Sequence, residues 1–235
     1  MAGTDFDFGR FDALTFDCYG TLIDWEAGIL AALRPIVKRR GLRLSSEELL
    51  EDFGRHEALV EAGPFQRYRD VLGSTLRNIA TEQGFEPTVD EIRAFGRSVE
   101  DWPAFPDSAA ALAKLQTRYR LGVITNCDDD LFAASARRLG VTFDWVVTAE
   151  QVGEYKPSER NFELAFERLG LPRDRILHCA QSLFHDHVPA KRLGLSTVWV
   201  DRRHGVVGSG ATPPASAEPD ITVPDMATLA ELAIG

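Results

Sequence analysis

The sequence predicts an α/β fold, a parallel sheet core with an inserted all-helical cap, and two observations carry that prediction. Short β-rich runs occur at residues 12–17, 121–125, 145–148, 175–180, 197–200 and 220–223, with helical patterns between the later ones. Strands that alternate with helices build a parallel sheet covered on both faces. Residues 24–102, by contrast, carry helical stripes and no strand pattern. The expected division is therefore a Rossmann-like core of residues 1–23 and 103–235, with the cap at 24–102.

Taken in order, the cap shows Ile29, Leu33, Ile36 and Val37, then Leu49, Phe53 and Val60, then Leu72, Leu76 and Ile79, then Ile92, Phe95 and Val99, each set at helical spacing. An insertion directly after the first strand sits above the carboxyl ends of the strands, where open α/β sheets bind ligands. In the core, Asp128, Asp129 and Asp130 are expected to cap the amides of a helix that stops at Gly140. Phe162, Ala165, Phe166 and Leu169 mark a second helix, ending at Gly170. The Gly, Ser, Ala and Pro content of residues 205–219 predicts a mobile loop.

A net charge of −10 without a basic stripe argues against nucleic-acid binding. No apolar run approaches the ~20 residues of a membrane span. The acidic start of the chain does not resemble a secretory signal, and three widely spaced cysteines suit a reducing compartment, so a cytoplasmic location is expected.

Chemistry concentrates at the strand ends. Asp17 ends the first strand in Asp17-Cys18-Tyr19-Gly20-Thr21-Leu22, where a carboxylate can attack an electrophile; alone, it reads more readily as a turn cap. Thr125 and Asn126 close Val123-Ile124-Thr125-Asn126 and offer donors for an anion. Lys156, in Tyr155-Lys156-Pro157, brings a charge that keeps a carboxylate ionised. Ala180-Gln181-Ser182-Leu183-Phe184-His185-Asp186 adds Asp186, which can hold Lys156 or a water.

These four motifs, in this order, resemble the haloacid dehalogenase-like superfamily across nearly the whole chain. The resemblance implies that Asp17 is a covalent nucleophile served by Lys156, Asp186, Asn126 and Thr125. Phosphatases of that superfamily carry a second acid two residues after the nucleophile and a further acid in the fourth motif, with Mg²⁺ between them. Tyr19 and Gln181 stand at those positions here. Asp-x-Tyr-Gly-Thr instead resembles the 2-haloacid dehalogenases, which implies attack on a halide-bearing carbon with no metal and no cofactor.

That branch implies a small anionic substrate, bound by Tyr19, Gln181, Ser182 and His185 with a cap arginine, and a homodimer. Arg55 is the arginine the resemblance implies, because its helix lies in the matching part of the cap; it points away from the Leu49, Phe53, Val60 stripe, toward either the site or solvent, and Arg67 and Arg69 are rivals. His185 serves as a base for water or as a pocket wall. Leu183 and Phe162 depart from the branch, which has Asn and Tyr there. A divergent Mg²⁺-dependent phosphatase, a hydrolase of the same superfamily acting on another carbon electrophile, and a binding protein without turnover remain as alternatives.

Overall fold

The computed structural model describes residues 6–206, 208 and 210–235. β1 (Ala13–Phe16), β2 (Arg120–Thr125), β3 (Trp145–Thr148), β4 (Ile176–Ala180), β5 (Ser196–Val200) and β6 (Ile221–Val223) form one sheet in the order β3-β2-β1-β4-β5-β6. Every pairing is parallel. All six strands fall where the β-rich runs predict them, so the sheet is the expected Rossmann-like α/β core. β1 is buried along its whole length, as a strand covered on both faces must be. It lies between β2 and β4, at the point where the strand order reverses, so the chain leaving its carboxyl end enters the ligand-binding crevice.

Between β1 and β2 the chain forms α1 (Trp25–Arg39), α2 (Ser46–Glu61), α3 (Tyr68–Glu82) and α4 (Val89–Arg97), then returns through α5 (Ser108–Leu115). α2 and α4 open with capping boxes, Ser45 with Glu48 and Thr88 with Glu91, which satisfy amides that no helical turn reaches. The apolar stripes of these helices join Tyr19, Leu22 and Val123 in one hydrophobic cluster that continues from the sheet into the insertion. Among the described residues no helix is long and apolar enough to cross a membrane.

α6 (Asp129–Leu139), α7 (Ala149–Val152), α8 (Arg160–Leu169), α9 (Val188–Arg192) and α10 (Met226–Ile234) complete the covering layers. α6 and α8 end at Gly140 and Gly170 in the left-handed conformation, as their sequences predict. The acidic triplet corrects its expected role. Asp128 occupies the N-cap position of α6, yet its carboxylate makes no capping bond there. It instead accepts the Tyr68 and Arg69 amides at 2.8 and 3.2 Å, capping α3 of the insertion.

The expected mobile loop is also corrected in part; Val207 and Ser209 lie outside the described residues. Ala211 is fully buried, and its carbonyl oxygen would lie 2.3 Å from a Cβ on Gly54 of α2. Only glycine permits that approach. Arg203 reaches Glu26 and Glu47, and the Gly210 and Ala211 amides donate to the same two carboxylates. The core loop is thereby held against α1 and α2.

Candidate active site

The turn after β1 builds the centre of the site. Gly20 adopts φ +90°, which folds the chain back so that Thr21 donates to Asp17 Oδ2 at 2.8 Å. The Gln181 amide donates to the Thr21 hydroxyl at 2.9 Å, and Arg202 grips the Thr21 carbonyl at 2.9 and 3.1 Å. Asp17 is thus aimed by β1, β4 and the segment after β5 together.

Lys156 is almost wholly buried, and its ammonium donates to Asp17 Oδ1 at 2.8 Å, Asp186 Oδ1 at 2.7 Å and the Ile124 carbonyl at 2.9 Å. Its three N–H donors are all used. Asp186 Oδ1 also pairs with His178 Nε2 at 3.0 Å, whose Nδ1 meets Thr15 at 2.8 Å. Burial pushes Asp186 up, but Lys156 and His178 outweigh it and hold this carboxyl below the usual range. Burial and the Asp186 charge raise Asp17, against the pull of Lys156 and Thr21. Lys156 resists its own desolvation because both carboxylates hold its proton.

A cavity of about 30 Å³ lies over Asp17. From the core it is lined by Asp17, Tyr19, Asn126, Lys156, Ser182, His185, Asp186 and Thr212, and from the insertion by Trp25, Glu57, Glu61 and Tyr68. Ser182 binds the His185 amide at 2.9 Å and its Nδ1 at 3.1 Å, and desolvation lowers this imidazole to about 4. His185 is therefore neutral at physiological pH.

Asp17, Lys156, Asp186, Asn126, Tyr19, Ser182 and His185 meet at this cavity, whereas Thr125, Gln181 and Arg55 do not line it. The Asn126 amide clamps the Lys156 backbone, accepting from its N–H at 2.7 Å and donating to its carbonyl at 3.1 Å. The Tyr19 hydroxyl meets Ser135 and Cys127. Thr125 is fully buried behind the site, and Gln181 turns its side chain to Thr212. Arg55 is a correction: it lies half-exposed on α2, tied to Asp52 and Glu82. Pointing away from the apolar stripe takes it to solvent. Arg67 and Arg69 are likewise held, by Glu150 and by Asp128 with Asp130. Phe162 packs its ring against His178 at 5.1 Å.

Sequence reasoning missed Thr21, His178, Thr212 and the two glutamates. Glu57 is 3% exposed, accepts from Tyr68 at 2.6 Å and is pushed up to about 8 by burial. Glu61 accepts from Asn126 at 3.3 Å and is raised well above the usual carboxylate range by burial and by Glu57. A signal existed: Phe53, Glu57 and Glu61 are spaced four apart, so the glutamates extend a buried face. Among the described lining residues Lys156 is the one cation.

The family model for haloacid dehalogenase-like hydrolases matches residues 11–178. The (S)-2-haloacid dehalogenase H-109 of Pseudomonas putida is 26% identical over 210 residues, covering 86% of this chain and 91% of that protein. A glyceraldehyde 3-phosphate phosphatase of Methanothermobacter thermautotrophicus is 35% identical, but over 41% of this chain and 44% of its own length. The structure of the L-2-haloacid dehalogenase from Xanthobacter autotrophicus with chloropropionic acid covalently bound superposes with a TM-score of 0.80 at 22% identity, covering 96% and 99% of the two chains. A match over most of the chain, with the fold to go with it, makes this protein a hydrolase that belongs to the haloacid dehalogenase-like family.

Proposed function

We propose that this hydrolase removes halide from small haloalkanes through an ester on Asp17 and without a metal ion, the 2-haloalkanoic acids named for its relatives being the reference substrates. The residues at the two positions that would supply further acids carry the reading. Tyr19 and Gln181 stand there, which leaves Asp17 and Asp186, both bonded to the Lys156 ammonium. Among the described residues no group of three His, Cys, Asp or Glu is arranged to hold a metal. Phosphoryl transfer needs such a clamp and a proton donor for the leaving oxygen, and the Tyr19 hydroxyl is engaged with Ser135 and Cys127. Halide leaves as a stable anion and needs no proton.

An Asp17 oxygen attacks the carbon, and the carbon–halogen electron pair departs with the halide. Water then attacks the Asp17 carboxyl carbon while His185, neutral and on the cavity wall, takes its proton and returns it to the departing alkoxide. Lys156 balances the charge on Asp17 in both steps. Residues 24–102 act as the cap that closes the cavity and excludes water other than the nucleophile.

The test is halide release from 2-chloropropionate with EDTA present, abolished in Asp17→Asn, and a single turnover in ¹⁸O-water that labels Asp17. Mg²⁺-stimulated phosphate release, with no label in Asp17 after exposure to the haloacid, would overturn the reading.

A further inference from the structure

Two carboxyl groups in the cavity have no use in the displacement. Glu57 and Glu61 are one turn apart on α2 and face Asp17 from the cap side. Among the described residues Glu57 receives one hydrogen bond, from Tyr68, which leaves a carboxylate oxygen without a protein donor in a side chain only 3% exposed. Glu61 receives one, from Asn126. Lys156 is already saturated by Asp17, Asp186 and the Ile124 carbonyl.

A substrate carboxylate would enter a cavity whose described lining holds four carboxyl groups and, besides the saturated Lys156, no cation. An ammonium would instead donate to the glutamate oxygens and, as Glu57 ionises, meet the opposite charge, and the Tyr19 and Tyr68 rings, stacked at 6.5 Å, beside Trp25 add aromatic faces. We infer that Glu57 and Glu61 form a subsite for a protonated amine, so that the substrate is a small haloalkane bearing an ammonium group. The inference rests on the reading of Asp17 as a carbon-directed nucleophile and changes only the second substituent of its substrate.

The subsite has a pH signature. Glu57 faces Glu61 on its own helix, Tyr68 from α3, and Asn126, Lys156, Asp17, Asp186 and His185 from the core. With its carboxyl held near pH 8 by burial, Glu57 loses its proton over the range in which an alkylammonium keeps its own. Ammonium binding therefore tightens about tenfold from pH 7 to pH 9, by one linked proton. A carboxylate ligand held by neutral glutamates would weaken over the same interval.

The experiment is calorimetric titration of the full chain with propylammonium, propionate and propionamide, unreactive ligands of one size, between pH 6.5 and 9.5. Propylammonium is expected to bind at least tenfold more tightly than propionate at pH 8, and Glu57→Gln/Glu61→Gln, with its fold checked by circular dichroism, to remove that preference. Propionate binding more tightly, or propylammonium binding unchanged in the double variant, overturns the inference. The ¹⁸O label in Asp17, read after a single turnover of 3-chloropropylammonium and separately of 2-chloropropionate, reports on the nucleophile: label without ammonium preference defeats the subsite alone, and ammonium preference without label from either substrate defeats the displacement.

Discussion

The ammonium of Lys156 stands 2.8 Å from Asp17 and 2.7 Å from Asp186, so a single positive charge serves two buried carboxylates. Lys156→Met leaves both without a cation. Breaking a buried pair costs roughly 3 to 5 kcal/mol, because the remaining charge is uncompensated. Urea denaturation should show a loss of that order together with loss of halide release. A change below about 1 kcal/mol would mean the bridge does not carry the charge balance assigned to it.

Asp17 must be ionised to attack, and its carboxyl is raised by burial and by Asp186. Activity should therefore fall on the acid side, with an inflection above the range of an ordinary aspartate. Thr21→Val removes a hydrogen bond that favours the ionised carboxylate and should move that inflection to higher pH. The kcat/KM profile for 2-chloropropionate measures both; an unmoved inflection contradicts the assignment to Asp17.

Glu57 sets a stability signature independent of turnover. Its folded-state pKa, about 8, lies above the ordinary 4.5, so the folded chain holds a proton that the unfolded chain releases. The associated stability is complete below the unfolded value and is lost as pH rises through the folded one. Glu57→Gln should raise Tm at pH 8, by about 2 to 4 °C per kcal/mol recovered in a chain of this size. At pH 4 both states are protonated and the gain should vanish. Calorimetric melts at the two pH values decide it.

Asp128 joins the core to the insertion by capping α3. Asp128→Ala should cost about 1 to 2 kcal/mol, as the loss of a cap does, and should also raise KM as the insertion seats less firmly. Asp130→Ala, which removes a largely exposed partner of Arg69, should cost under about 1 kcal/mol. Equal destabilisation by the two would show that the cap is not the stronger tie.

Arg55→Ala should leave kcat/KM within about threefold of the parent, since its partners are Asp52 and Glu82 at the surface. A hundredfold loss would place this arginine at the substrate after all.

The sheet was legible because six short β-rich runs, bounded by turn residues, leave a buried parallel strand few alternatives. Asp17, Lys156 and Asp186 were legible because each follows a strand or its loop within a motif. Arg55 was misread because facing away from an apolar stripe has two outcomes, site or solvent, and neighbouring acids on α2 and α3 decide between them. Glu57 and Glu61 escaped notice because acids on a helix usually mark its solvated face. What buries them is Tyr68 from the next helix and Asn126 from the core, contacts that spacing along one helix does not encode.

The seating of Ala211 on Gly54 gives the insertion a second seam with the rest of the chain, more than 100 residues beyond the point where it rejoins the core. A chimera that exchanges residues 24–102 for those of a relative would have to carry the stretch around Arg203 to Thr212 with it. Otherwise the new helix meets the Ala211 carbonyl with a Cβ, and Arg203 loses the Glu26 and Glu47 carboxylates. The insertion and the segment after β5 thus behave as one exchangeable unit, although they are far apart in sequence.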